Sequence, residues 1–348
     1  MKQNNVNAAL KNYDDLVFTA HTHLKTLLSE AFLHTDKENA VVVYDTACTL
    51  SAILAEAYKL ALPKATFLDF NELPPQNILE ILQALKPSDL VVLVQSTHFR
   101  LNAFRIRVEL FKRAIKVIEH PHLSRMSDEE VPYYIDSLEY DSNYYRHTGR
   151  MLKSKIDAAT SGTLESGGEL LVYNCAFESA KLNIGDYSGM PNMGGQFPLG
   201  EVFTEAQDLR ALNGRVRIFI FGDMTYRINR PDTPITLIIK EGQVVDCENS
   251  TPAFDEILSK IREDEGVVWV RELGFGLNRA FSTTRTVSDI GTYERMCGVH
   301  LSLGAKHGTY GKPGFKRGDG KYHVDVFADT HTFSLNEEVV YKDGAWLV

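Results

Sequence analysis

The sequence predicts an α/β chain of two domains: an N-terminal βαβ parallel-sheet domain over residues 1–160, then a mainly antiparallel, β-rich α+β domain over 161–348. Three observations carry this. Short β-rich runs alternate with helical patterns up to about residue 120, and near 160 the texture changes to β-rich runs punctuated by glycine. Two of the later runs also have the form strand, tight glycine turn, strand. A chain of 348 residues is long enough for two such domains.

In the first half AVVVYD (40–45) reads as a buried strand and SAILAEAYKLAL (51–62) as the helix after it. ATFLDF (65–70) is a second strand, followed by QNILEILQALK (76–86), whose apolar residues recur at helical spacing. DLVVLVQS (89–96) and IKVIEH (115–120) complete four strands, with LNAFRIRVELFKRA (101–114) as the helix between them. Such alternation implies right-handed βαβ units and a parallel sheet covered by helices. Ligands on such sheets sit beyond the carboxyl ends of the strands. The turn after the first strand, DTACTLS, has neither G-x-G-x-x-G nor a P-loop, so a dinucleotide finds little to bind there. Residues 121–160 look helical, polar and rich in tyrosine, and are expected to bridge the halves.

From about 161, GGELLVYN, RVRIFIFGD, ITLIIKEGQVVDC, GVVWVRELG, GVHLSLG and EVVYKDGAWLV are the β-rich runs. IIKEGQVVD and VVYKDGAWLV are the hairpin signals. GMPNMGGQFPLG (189–200) reads as the longest glycine- and proline-rich loop, of a kind that often carries function on a rigid scaffold.

Composition narrows the function classes. A net charge of −9 argues against a sequence-independent grip on DNA or RNA, which needs clustered lysine and arginine. No apolar run reaches the roughly 18–20 residues of a membrane span. The first residues, MKQNNVNAALKNYDDL, have no basic segment leading into an apolar core, so no signal peptide is read. Four scattered cysteines (Cys48, Cys175, Cys247, Cys297) fit a reducing compartment, and a cytoplasmic location is the expectation.

The chemistry-bearing residues gather in the second half. In GKYHVDVFAD (320–329), apolar Tyr322, Val324 and Val326 alternate with Lys321, His323 and Asp325, which puts His323 and Asp325 on one strand face. A lone H-x-D is most often a solvated face, so its meaning depends on partners. His300 lies in GVHLSLG, again on the polar face of an alternating strand. His307 follows in a glycine- and lysine-rich loop that could fold back over that face. Glu272 is read as ending the strand VVWVRE before a flexible LGFG, and Glu201 opens EVFTEA. Singly, each is an exposed glutamate or a hydrogen-bonded histidine. Together, three carboxylates and two or three imidazoles without thiolate suit zinc, cobalt, manganese or iron(II). A set of five or six such ligands can hold two divalent ions close enough to activate water and polarise a carbonyl.

The ordered segments G-E-V-F-T (200–204), R-E-L-G-F-G-L-N (271–278), V-H-L-S-L-G (299–304) and H-V-D-V (323–326) resemble the metal-site signature of thermophilic-type metallo-aminopeptidases. These are the leucyl aminopeptidases of the aminopeptidase T and aminopeptidase S group. The resemblance covers about residues 195–348 and implies that Glu201, Glu272, His300, His323 and Asp325 bind a metal pair, with Glu201 or Glu272 as the proton-transferring base. It also implies a short-peptide substrate and a homodimer. Two departures stand out: the proline after G-E-V-F-T-x is absent, and the tyrosine seven residues after the family's histidine is His307 here. The chain is closer in length to a sister group, the iron(II)-dependent 2,5-dihydroxypyridine 5,6-dioxygenases. Those have a histidine at the Glu272 place and no ligand at the Glu201 place. For that alternative, His300, His323 and Asp325 would form a two-histidine, one-carboxylate iron site.

His21 and His23, at i and i+2 of an expected helix, face apart and are set aside as ligands. His120 and His122 are read as at most pocket-wall residues. The basic stretch KHGTYGKPGFKRGDGK (306–321) is read as a mobile loop over the site that could steer an anionic substrate group.

Overall fold

A computed structural model of the chain describes residues 2–101, 104–188, 190, 192–312 and 320–348. The first part comprises α1 (Lys2–Glu30), β1 (Ala40–Tyr44), α2 (Thr49–Ala61), β2 (Thr66–Asp69), α3 (Pro75–Ala84), β3 (Leu90–Val94), α4 (Ile106–Lys112) and β4 (Lys116–His120). There follow α5 (Val131–Asp136), α6 (Ser142–Ala158), β5 (Gly162–Ser166), β6 (Glu169–Tyr173), β7 (Lys181–Asn183), β8 (Gly194–Gln196) and β9 (Glu201–Glu205). The chain continues through β10 (Leu212–Gly222), β11 (Ile228–Asn229), β12 (Ile235–Lys240), β13 (Gln243–Glu248), α7 (Pro252–Glu265) and β14 (Val270–Gly276). It ends with α8 (Ile290–Tyr293), β15 (Gly298–Leu303), β16 (Val324–Ala328), β17 (Thr330–Leu335), β18 (Glu338–Lys342) and β19 (Ala345–Trp346). Two compact units result, one of residues 1–143 with 185–199, the other of 144–184 with 200–348. The position near 160 read from the sequence falls just after α6, whereas the chain passes between units at 143/144 and returns to the first for 185–199.

In the first unit the strands pair in parallel in the order β2–β1–β3–β4–β8. A parallel sheet covered on both faces needs strands that are apolar throughout, and all five residues of β3 are buried. Val41, Val43, Val91 and Leu93 pack with Ile78 and Leu82 of α3. Of the helix expected over 101–114, Ile106–Lys112 is helical, and residues 102 and 103 lie outside the described residues. The strand order reverses between β1 and β3, where such sheets hold ligands. Just beyond those two strands, Ser96 donates from its amide at 2.9 Å and its hydroxyl at 2.8 Å to Asp45 Oδ2.

The expected loop at 189–200 hides a fifth strand. Gly194 pairs with Val117 at a positive φ of 106°, and a Cβ there would lie 1.9 Å from Val117 O. Only glycine permits this approach, so the residue that suggests a loop is what lets the strand dock. His120, set aside above as a pocket-wall residue, is fully buried between Tyr58 and Tyr134.

The second unit is built on a sheet that has fourteen strands among the described residues, with main path β19–β18–β17–β5–β6–β10–β16–β15–β14–β9–β7. Its described pairings are antiparallel. Both sequence-predicted hairpins are present, β12 with β13 and β18 with β19. α7 starts at Thr251, whose hydroxyl accepts from Phe254 N, with Pro252 in the first turn, and ends at Gly266 with φ 81°. Such an N-cap is worth about 1 kcal/mol. Phe254, Ile257, Leu258 and Ile261 recur at helical spacing on its buried face.

Candidate metal centre

Four consecutive strands of the second sheet, β16, β15, β14 and β9, carry the candidate site. Directly opposed residues of an antiparallel sheet share a face, and so do residues two apart. Gly276 opposes Glu201, Gly274 opposes His300, and Ser302 opposes Asp325. Glu201, Glu272, His300 and Asp325 therefore project from one face. Glu272 does not end its strand as the sequence suggested, since β14 runs on to Gly276. The glycines that made LGFG look flexible serve close packing: a Cβ on Gly276 would lie 1.8 Å from Met296 O. The register shifts between Val270 and Leu273, so a bulge falls at Arg271 and Glu272 and re-aims both.

Five of the six sequence-predicted residues meet in two overlapping groups, and the sixth, His307, lies beside Glu272 outside both. Glu201, Glu272 and His300 offer ligand atoms within 4.8 Å of one another, and so do Glu272, His323 and Asp325. His300 Nε2 is 3.6 Å from Glu201 Oε1 and 3.6 Å from Glu272 Oε1. His323 Nε2 is 3.1 Å from Asp325 Oδ1, while its Nδ1 lies 3.1 Å from Lys306 O. His307 turns Nδ1 toward Glu272 Oε2 at 3.5 Å, and its ring lies nearly parallel to that of His323, with centroids 6.2 Å apart. The loop carrying His307 is tied down by Arg271, which ion-pairs with Glu205 and donates to Ala305 O and Tyr310 O. Of the basic stretch at 306–321, residues 313–319 lie outside the described residues.

Burial and neighbouring charge set the protonation of these groups. Burial raises Glu201 above the usual carboxylate range, against the pull of Arg295 and His300. Burial acts on Glu272 too, but His300 and His323 overcome it and hold that carboxyl low. Burial would lower His300 and His323, yet the surrounding carboxylates win, raising His300 and taking His323 to about 10. Asp325 is held at about 2 despite its burial, chiefly by His323. Burial lowers His307 to about 4.

Two residues of the centre were not singled out from the sequence. Glu294 and Arg295 follow α8, and Arg295 Nη1 lies 2.6 Å from Glu294 Oε2 and 2.9 Å from Glu201 Oε2. Burial, then the negative charge of Asp325, pushes Glu294 well above the usual range. The available signal was an adjacent acid and base in YERMCGVH, five and six residues before His300 in an otherwise apolar run.

The donor set fits a divalent cation. His300 Nε2, His307 Nε2 and Asp325 Oδ1 are buried atoms without a hydrogen-bond partner among the described residues. A buried donor or acceptor left unmet is costly, and a metal is one way to meet it. The ligand atoms are imidazole nitrogen and carboxylate oxygen, the types that zinc, cobalt, manganese and iron(II) accept.

Solved structures that share this fold include a dioxygenase and an aminopeptidase. One is 2,5-dihydroxypyridine dioxygenase from Pseudomonas putida KT2440, 14% identical with a TM-score of 0.63, matched over 96% of this chain and 97% of that one. The other is wild-type AmpT, an aminopeptidase T, from Thermus thermophilus, 12% identical with a TM-score of 0.56, over 95% and 99%. At such identities the likeness is one of fold. No family model matches the sequence, and no curated protein sequence matches it. Among the described residues no helix is long and apolar enough to cross a membrane.

Proposed function

We propose that the protein is a metal-dependent hydrolase, an aminopeptidase acting on short peptides. The observation that carries this reading is that Glu272 belongs to both ligand groups, so that one carboxylate would be available to each of two cations. Two ions held there would supply an acidified water and a polarised carbonyl. The chain's own carboxylates divide the remaining work. Glu272, held ionised by two histidines, suits the bridging place. Glu201, raised by burial, suits a group that takes a proton from water and returns it to the leaving amine.

A second reading, ring cleavage at a single iron(II), draws on the fold shared with the dioxygenase. It calls for His300, His323 and Asp325 around one ion. Neither ligand group joins His300 to His323, and both include Glu272, which favours the hydrolase.

The deciding experiment measures leucine release from dipeptides and Leu-p-nitroanilide beside oxygen uptake with dihydroxypyridines, after loading with zinc, cobalt, manganese or iron(II). Peptide hydrolysis is expected, with Glu201→Gln at least about a hundredfold slower. Oxygen uptake by the wild type without peptide hydrolysis would overturn the proposal.

A further inference from the structure

Arg295 brings a fixed positive charge into one of the two ligand groups. It is 7% exposed, and its Nη1 lies 2.9 Å from Glu201 Oε2 and 2.6 Å from Glu294 Oε2. Glu201 therefore has one oxygen held by the guanidinium and the other turned toward His300 at 3.6 Å. The second group is different. Among the described residues, Glu272 and Asp325 ion-pair only with histidines, groups that a metal can deprotonate and use as ligands. Arginine gives up no proton at any ordinary pH and has no lone pair to offer a metal.

We infer that Arg295 makes the two cation positions unequal. This rests on reading the cluster as a metal centre. The first ion goes to Glu272, His323 and Asp325, with His307 beside them, where neither carboxylate is within ion-pair distance of a fixed cation among the described residues. That ion takes the charge of the shared Glu272. A second ion at Glu201 and His300 then finds its remaining carboxylate already neutralised and a guanidinium within ion-pair distance of it. Like charges so close in a buried site repel strongly, because little water screens them. The second ion therefore binds weakly and exchanges readily, and the protein holds one ion tightly by default. The buried, unpartnered Asp325 Oδ1 and His300 Nε2, one in each group, mark the two positions that are filled in this order.

The test is a titration of metal-free protein with cobalt(II), followed by visible absorption and by metal content after gel filtration. For the wild type, one tight equivalent is expected, with a second at least about thirtyfold weaker. Arg295→Met keeps the buried stem and removes the charge, and should tighten the second equivalent about tenfold or more while the first is little changed. Two equally tight equivalents in the wild type, or an unchanged second step in a natively folded Arg295→Met, would overturn the inference while leaving the metal centre standing. Should Arg295→Met not fold, Glu201→Gln serves: the tight equivalent must survive within about threefold, and its loss would overturn the assignment. Wild type that binds no cobalt, zinc or manganese would instead remove the metal reading itself.

Discussion

Gly274 and His300 oppose each other on β14 and β15, and a Cβ placed on Gly274 would lie 2.1 Å from His300 Nε2. The imidazole occupies the space that any other residue would fill. It is backed from the other side by Phe327, the residue opposite it on β16, with ring centroids 5.5 Å apart. Gly274→Ala should therefore drive the ring out of line with Glu201 and Glu272. The expected result is weaker metal retention in that group and turnover reduced about tenfold or more, since small misplacements are costly at a reacting centre. Metal content and peptide hydrolysis measured on the folded variant check it. Unchanged metal content and turnover would mean that the ring has room the structure does not show.

Glu272 is the one carboxylate common to both ligand groups. Glu272→Gln keeps the shape and removes the charge, so both cation positions lose a ligand at once. Metal content should fall below one ion per chain, and hydrolysis should drop by at least about a thousandfold. The backbone N–H of Glu272, which donates to Ser302 Oγ at 3.0 Å, is untouched, so the strand pairing should persist, while the metal-free protein loses the stability that the depressed carboxyl contributes at neutral pH. A variant that retained both ions would remove the bridging role.

The sequence makes much of this site legible, for a reason of geometry. His323 and Asp325 are two apart on an extended segment, and their meeting at 3.1 Å follows from strand alternation. The strand context of His300 is legible in the same way. What the sequence hides is cross-strand register. Nothing in RELGFG announces that Gly274 and Gly276 are strand residues emptied for His300 and Met296, so Glu272 looks like a strand end when it lies inside one. The same blindness turns Gly194 and Gly195 into a loop when they pair with β4. Arg295 escapes notice because an arginine beside a glutamate on the chain usually means solvent, and only the folded structure shows it buried between Glu201 and Glu294. The parallel sheet, by contrast, rests on near-continuous apolar runs and turns, which are local signals.

His120 gives the first unit a sensitivity to acid. Its Nε2 lies 2.8 Å from Tyr58 Oη and its Nδ1 2.7 Å from Tyr134 Oη, and burial lowers its pKa from 6.5 to about 3. The unfolded chain takes up a proton near 6.5 that the folded one refuses until about 3, so stability falls as pH drops through that window. The slope is about 1.4 kcal/mol per pH unit, or roughly 2 kcal/mol between pH 6.5 and 5. Urea unfolding of the first unit at these two pH values should show the loss for the wild type and a smaller one for His120→Gln. The variant starts from a lower stability because at least one tyrosine hydroxyl loses its partner. Equal pH slopes in the two proteins would show that His120 titrates freely.

The pair formed by His323 and Asp325 holds a proton that a metal ion must displace. With His323 at about 10 and Asp325 at about 2, the metal-free protein carries an imidazolium and a carboxylate at neutral pH. The ring then donates from Nδ1 to Lys306 O at 3.1 Å, and its Nε2 faces Asp325 Oδ1 as an ion pair at 3.1 Å. A cation taking Nε2 and Asp325 Oδ1 evicts the Nε2 proton. Affinity for the first ion should therefore rise about tenfold per pH unit between pH 6 and 9, with about one proton released. Calorimetry in two buffers of different ionisation enthalpy counts that proton directly. The same shifts set the stability of the metal-free form. His323 is raised, so its contribution is complete below its unfolded value of 6.5 and disappears as pH rises through about 10. Asp325 is depressed, so its contribution is complete above its unfolded value of 3.8 and disappears as pH falls through about 2. Asp325→Asn should thus destabilise metal-free protein most between about pH 4 and 6.5, and much less near pH 10. A metal affinity that does not change between pH 6 and 9 would mean that His323 is already neutral, and the proton between it and Asp325 would have to be abandoned.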